Sequence, residues 1–183
     1  MNSLLNRVPM SLPAIVMAGL LVISSAAPAA VRASGTLGVS ATVASSIGLT
    51  FTSSTTGVTL GGAGTSVATM AFGTISPHGG TVPTGATRVV NGTISFTYSS
   101  PFDVTVTEQN SSSSCYTLAA LLSASSPDTF AIDAVTLSTT SKTITASGIY
   151  ASSAQYTLAL TVPFSAPGGT AISDTVDFTA TAN

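Results

Sequence analysis

Charged side chains are scarce in this sequence. Four basic and six acidic residues amount to 5% of 183 positions, whereas an ordinary soluble domain carries roughly 25%. A nearly neutral surface offers little charge repulsion to keep two copies of a chain apart. The same scarcity leaves few acids, bases and metal ligands. The composition therefore favours a structural role over catalysis, and we predict a protein that is not an enzyme and holds no cofactor.

Histidine is present once, as His78. A serine hydrolase needs a histidine that a carboxylate orients and that touches an activated serine. His78 instead lies between Pro77 and Gly79, in a sequence typical of a turn. No Gly-x-Ser-x-Gly motif surrounds any of the many serines. We therefore predict that the chain has no catalytic residue.

Metal ligands are equally few. Cys115 is the single cysteine, so no internal disulfide can form, and one cysteine with one histidine cannot build a zinc tetrahedron. Two aspartate pairs, Asp128 with Asp133 and Asp174 with Asp177, lack the spacing of an EF-hand calcium loop. We predict no metal site and interpret Cys115 as a small, partly buried side chain, with an intermolecular disulfide as the alternative.

Basic residues are nearly absent after position 33, where only Arg88 and Lys142 remain against all six acidic residues. Such a chain has no basic patch, so we predict that it binds neither nucleic acid nor an anionic membrane surface. Lys142 is interpreted as a charge on an edge strand that discourages mispairing, with an isopeptide crosslink as the alternative.

Residues 1–33 have the order of a secretory signal peptide. A polar start with Arg7 precedes an apolar stretch at 12–23, and small residues with a proline follow at 24–33. The apolar stretch is too short for a comfortable membrane span. We predict cleavage after Ala33, with Ala29 as second choice, and therefore a secreted protein at the cell surface or outside the cell, without a stable membrane span. A retained pilin-type helix is the alternative.

Residues 34–183 show a periodicity of two almost throughout. Apolar residues alternate with small polar ones at 94–98, 102–106, 156–162 and 176–182, and Gly, Pro and Ser clusters separate these runs. This pattern is typical of half-buried antiparallel strands. It predicts an all-β fold, a single antiparallel β-sandwich of nine or ten strands at 47–183, with a turn at 99–101. Residues 118–122 are interpreted as a strand or a single turn.

Residues 36–51 contain two runs in which every second residue is apolar. After an interruption at Ser45-Ser46, the alternation resumes at 47–51. One interpretation is the ordinary first strand of the sandwich. The other is a donor strand at 34–46 that enters a groove of a neighbouring copy, because an added strand gains backbone hydrogen bonds while every second side chain enters a pocket. The donor side chains would be Leu37, Val39, Ala41 and Val43.

Two asparagines, Asn91 and Asn110, stand in Asn-x-Ser/Thr sequons and are candidate glycosylation sites in a host that uses them. Asn91-Gly92 is also a favourable hairpin turn.

Three segments carry a resemblance to a known family. Residues 70–77, which read Met-Ala-Phe-Gly-Thr-Ile-Ser-Pro, resemble a segment near the start of secreted bacterial pilin-like β-sandwiches, namely the spore coat protein U and archaic chaperone–usher pilin group. Residues 162–169 and 173–181 resemble the final hairpin of those proteins. The charge-poor, Ser/Thr-rich composition is similar also to donor-strand subunits of archaeal surface filaments. The resemblance implies an immunoglobulin-like or pilin-like sandwich that polymerises with itself or related subunits, aided by a periplasmic chaperone and an outer-membrane usher.

The leading hypothesis is therefore a secreted structural subunit of a surface filament, pilus or coat that assembles by β-strand addition. The alternative is a monomeric secreted adhesion or binding domain of the same fold at the cell surface.

Overall fold

The computed structural model describes residues 34–183, so the predicted signal peptide lies outside the described residues. The chain divides after Ser40, and residues 41–183 form one compact unit. Residues 34–45 have no regular secondary structure. Residues 34–183 contain nine strands, namely β1 (Ser46–Ser53), β2 (Thr87–Asn91), β3 (Ser95–Gln109), β4 (Tyr116–Leu122), β5 (Thr129–Ile132), β6 (Val135–Thr136), β7 (Lys142–Gly148), β8 (Ser153–Pro163) and β9 (Val176–Ala182).

The strands form two antiparallel sheets. In the six-stranded sheet, β1 and β2 share one side of β3, and β8, β5 and β6 follow on its other side. The three-stranded sheet has the order β7-β4-β9. This architecture confirms the predicted all-β antiparallel fold and agrees with a β-sandwich. Across 34–183, no helix is long and apolar enough to cross a membrane.

Two central strands supply the middle of the core. Every second residue of β3, from Phe96 to Val106, and of β4, from Tyr116 to Leu122, is buried. Among them, the exposed fraction is 0% for Val104, Val106 and Leu118. The alternation seen in the sequence therefore translates directly into an inner and an outer face.

The turn expected at 99–101 was wrong, because β3 continues through Pro101 as one strand of 15 residues. The reason is positional. On that side of β3, strand β2 pairs with residues 95–99 and β1 pairs with residues 102–109. Pro101 lies in the gap between them, where no strand needs the N–H that proline lacks.

Residues 118–122 belong to β4, so of the two interpretations the strand is confirmed. The hairpin at Asn91-Gly92 is confirmed as well, since Asn91 pairs with Ser95 and Gly92 has a φ of 60°. Ile94, expected on the following strand, lies instead in the hairpin loop and is 73% exposed.

Candidate functional site

Residues 36–43 present a row of apolar side chains to solvent. The exposed fractions of Leu37, Val39 and Val43 are 90%, 85% and 73%, and Ala41 is exposed too. The first strand begins only at Ser46, where the sequence alternation is interrupted. Several large apolar side chains in a row are rarely left exposed in a monomeric protein unless they contact a partner.

Strand β9 has one free edge among the described residues. On its other edge it pairs with β4, and the backbone N–H of Ser123 donates to Thr175 O while that of Asn183 donates to Cys115 O. The odd-numbered residues of β9 therefore bond to β4. The backbone groups of the even-numbered residues point to the free edge: Val176, Phe178, Ala180 and Ala182.

The inner side chains beside that edge are only half covered. Val176, Phe178 and Ala180 of β9 are partly exposed, although their neighbours on β4 are buried. Ile47, Leu49 and Phe51 of β1 are partly exposed in the same way, although their neighbours on β3 are mostly buried. Both sheets thus leave apolar surface uncovered where β1 approaches β9.

An open groove of about 1060 Å³ runs along this uncovered surface. Residues of β1, β3, β8 and β9 line its inner part, among them Leu49, Phe102, Leu158 and Phe178. Two stretches without regular structure, 66–75 and 169–175, form its outer walls. An extended peptide can bind a protein by adding a strand to an exposed sheet edge, with alternate side chains entering pockets.

The wall at 66–75 has alternating burial over residues 68–72 but forms no strand. Its side chains alternate, since Ala68, Met70 and Phe72 are at least half buried while Thr69 and Ala71 are exposed. Thr69 pairs with Gly61, but the backbone groups of residues 70–75 bond to no other described backbone group. The irregular segment at 66–75 and the free edge of β9 therefore both border the groove.

Three aromatic rings meet in the lining of the groove. The ring of Phe178 lies edge-on to Phe51 at a centroid distance of 5.1 Å and to Phe102 at 6.0 Å. Phe51 and Phe102 are 6.3 Å apart. All three rings line the groove.

A smaller cavity of about 390 Å³ lies next to the groove and shares part of its wall, including Ile75 and Ile172. Asp128 is its acidic residue. Burial raises the pKa of the Asp128 carboxyl above its usual value, and the nearby charge of Asp174 raises it further. Asp174 in turn accepts a hydrogen bond from Ser126 Oγ at 3.2 Å.

The remaining candidates for chemistry are scattered. His78 lies in an exposed bend, with its ring centroid 6.1 Å from that of Phe164. Cys115 is a free, partly buried residue, and hydrogen bonds from Ser147 and Asn183 lower the pKa of its thiol. In the described part of the chain, no three His, Cys, Asp or Glu residues come together as a metal site would require.

The two sequon asparagines have different surroundings. Asn91 is half buried, and its Nδ2 donates to Ser95 Oγ at 3.2 Å and Thr97 Oγ1 at 2.8 Å. Asn110 is exposed and directly follows the end of β3, with a φ of 57°.

Sequence reasoning proposed the exposed row of residues but missed the groove. The walls at 66–75 and 169–175 were noticed only in part, as segments of the family resemblance. One feature of the sequence could have indicated the first wall. Ala68, Met70 and Phe72 recur at every second position, although they lie outside the predicted strands.

Comparisons with protein-family models, with curated proteins and with solved structures found no match to this chain.

Proposed function

We propose that this protein is a secreted structural subunit of a surface filament, pilus or coat, and that its copies join by β-strand addition. One observation carries the proposal: the same chain has an exposed apolar row at 36–43 and an open groove with apolar inner side chains beside a free strand edge. In strand addition, backbone hydrogen bonds supply affinity while alternate side chains enter pockets and set specificity.

The lengths of the two parts agree. Leu37 and Val43 are six residues apart, and so are Val176 and Ala182 at the two ends of β9. At about 3.3 Å per residue, each spans roughly 20 Å as an extended strand. The apolar row can therefore follow the free edge of β9 over its full length.

An added strand would cover the apolar side chains that the groove leaves half exposed. Val176 and Phe178 on one side and Leu49 and Phe51 on the other are only half covered. Each large apolar side chain that is fully buried contributes about 1.5–3 kcal/mol.

The chemistry of the surface supports the same role. A free strand edge next to apolar side chains is a site where chains aggregate unless something covers it. Charged residues make up only 5% of the sequence, so charge repulsion between copies does little to prevent such contacts. A structural subunit uses this property, and neither His78 nor Cys115 is needed for it. A periplasmic chaperone and an outer-membrane usher are the assembly partners that the resemblance implies.

The proposal is tested with two purified proteins, one of residues 34–183 and one that begins at Ser45. We expect the longer protein to form long-lived oligomers or filaments, seen by light scattering and electron microscopy. The shorter protein should remain unstable until a peptide of residues 34–46 is added. A shorter protein that is a stable, soluble monomer without peptide contradicts strand addition.

A monomeric adhesion or binding domain is the second candidate. The observation that favours it is the closed centre of the core, where the exposed fraction of Val104, Val106, Leu118 and Ile132 is 0% without any added strand. In that case the protein that begins at Ser45 folds by itself, and the longer protein stays monomeric at high concentration.

A further inference from the structure

We infer that, of the two sequons, Asn110 is the one that accepts an N-linked glycan in the folded protein, whereas Asn91 does not. The co-substrate is an oligosaccharide linked to a lipid through pyrophosphate. The inference depends on exposure and hydrogen bonding at the two asparagines, and it is independent of the proposed function.

The reaction makes one demand on the acceptor. The amide nitrogen Nδ2 forms a bond to C1 of the first sugar, the bond from C1 to the pyrophosphate oxygen breaks, and the lipid pyrophosphate leaves. One of the two protons on Nδ2 is lost to a base. The acceptor nitrogen must therefore be reachable, and it keeps a single N–H afterwards.

Asn91 fails this demand because both protons of its Nδ2 are in use. They are donated to Ser95 Oγ and Thr97 Oγ1, and Thr97 Oγ1 lies 2.7 Å from Thr161 Oγ1 on β8. The amide of Asn91 thus belongs to a polar network across β2, β3 and β8. A glycan on Nδ2 would break one of these bonds and push against the surface of the six-stranded sheet.

Asn110 meets the demand. It is exposed, and its side-chain amide has no hydrogen bond to any residue of 34–183. Its φ of 57° lies in the left-handed region, which asparagine tolerates better than most residues. Ser112, the hydroxyl residue of the sequon, is exposed as well. Because β3 ends at Gln109, Asn110 lies in a loop, and a glycan there would disturb no strand pairing.

The test uses folded, purified protein of residues 34–183, a single-subunit oligosaccharyltransferase and a lipid-pyrophosphate-linked oligosaccharide. The enzyme is chosen because it modifies two free peptides, residues 87–97 and residues 106–116. A variant Ala63→Asn creates a third sequon in an exposed loop and shows that the enzyme acts on this folded chain. Modified residues are mapped by mass spectrometry, and folding of each variant is checked by circular dichroism.

We expect one glycan on the wild-type protein, located at Asn110, and two on the Ala63→Asn variant. Asn110→Gln should abolish the modification of the wild-type chain, while Asn91→Gln should leave it unchanged. A glycan on Asn91 of the folded protein overturns the inference. So does an unmodified Asn110 in a reaction that modifies the peptide of residues 106–116.

Discussion

The ring of Phe51 lies edge-on to the ring of Phe178, with a centroid distance of 5.1 Å. Phe51 belongs to β1 in the six-stranded sheet and Phe178 to β9 in the three-stranded sheet, so this contact connects the two sheets at one side of the molecule. Edge-to-face aromatic pairs contribute about 0.5–1.5 kcal/mol beyond the burial of their area. Both rings also line the groove. This contact between the two sheets is therefore part of the surface on which we propose that a strand from another copy lies.

Replacing both Val39 and Val43 by Asp should abolish assembly, because the variant would have to bury two charges in an apolar groove. The matched control is Ser40→Asp with Thr42→Asp, which adds the same charge on the other face of the segment. Light scattering and electron microscopy measure the outcome. If the valine variant still forms filaments, residues 36–43 are not the joining element.

Ala180→Pro should weaken assembly without lowering the stability of the unassembled subunit. The backbone N–H of Ala180 points to the free edge of β9, so proline removes a donor that only an added strand would use. Thr179→Pro is the contrasting variant, because it removes an N–H that bonds to β4 and should destabilise the fold itself. Thermal unfolding separates the two effects. Normal assembly of Ala180→Pro would show that the β9 edge is not used.

Ser100→Ala should lower the free energy of unfolding by about 1–3 kcal/mol. The Oγ of this fully buried serine accepts a 2.8 Å hydrogen bond from the backbone N–H of Val58, and alanine leaves that N–H without a partner. Ser99→Ala is the control, because its Oγ bonds to Thr87 Oγ1 in an exposed position. Equal losses in the two variants, measured by urea denaturation, would contradict the importance of the buried bond.

Asp128→Asn should raise the melting temperature at pH 7. Burial and the charge of Asp174 raise the pKa of the Asp128 carboxyl, so the folded state disfavours its charged form. The wild-type protein is therefore relatively more stable in acid, and this advantage is lost as the pH rises through the raised pKa. We expect the difference between the two proteins to vanish below the ordinary aspartate pKa of about 3.9. A variant that is no more stable at pH 7 contradicts the raised pKa.

Ala134→Gly should stabilise the fold by about 1 kcal/mol. The two-residue turn between β5 and β6 has positive φ angles at both Asp133 (46°) and Ala134 (69°). A side chain in the left-handed region costs roughly 1–2 kcal/mol, part of which glycine returns as extra freedom of the unfolded chain. Chemical denaturation measures the change. An unchanged or lower stability would mean that the turn is not strained at Ala134.

Much of the fold could be predicted from the sequence because strand alternation is a local property. The runs at 156–162 and 176–182 lie in β8 and β9, and the hairpin at Asn91-Gly92 forms as its turn chemistry requires. Pro101 was misinterpreted, since proline is compatible with a strand where no neighbour needs its N–H, and only the register of β1 and β2 on β3 reveals such a gap.

Only one of the two parts of the candidate site could be predicted from the sequence. The apolar row of Leu37, Val39, Ala41 and Val43 is visible in the sequence because it alternates. The groove is not, because its lining comes from residues as distant as Leu49 and Phe178, and its walls at 66–75 and 169–175 form no strands that a local pattern would indicate.

The sequence by itself determined that this protein is an all-β chain with few charges and an apolar segment before its first strand, because composition and alternation act over a few neighbouring residues. Only the tertiary structure decided which strand edge stays free and which apolar side chains stay half covered. The pairing of β9 with β4 joins residues that are 54 to 66 positions apart, and the contact of Phe51 with Phe178 joins residues 127 positions apart. Such long-range pairings follow from how the two sheets share one core, and no local pattern specifies them.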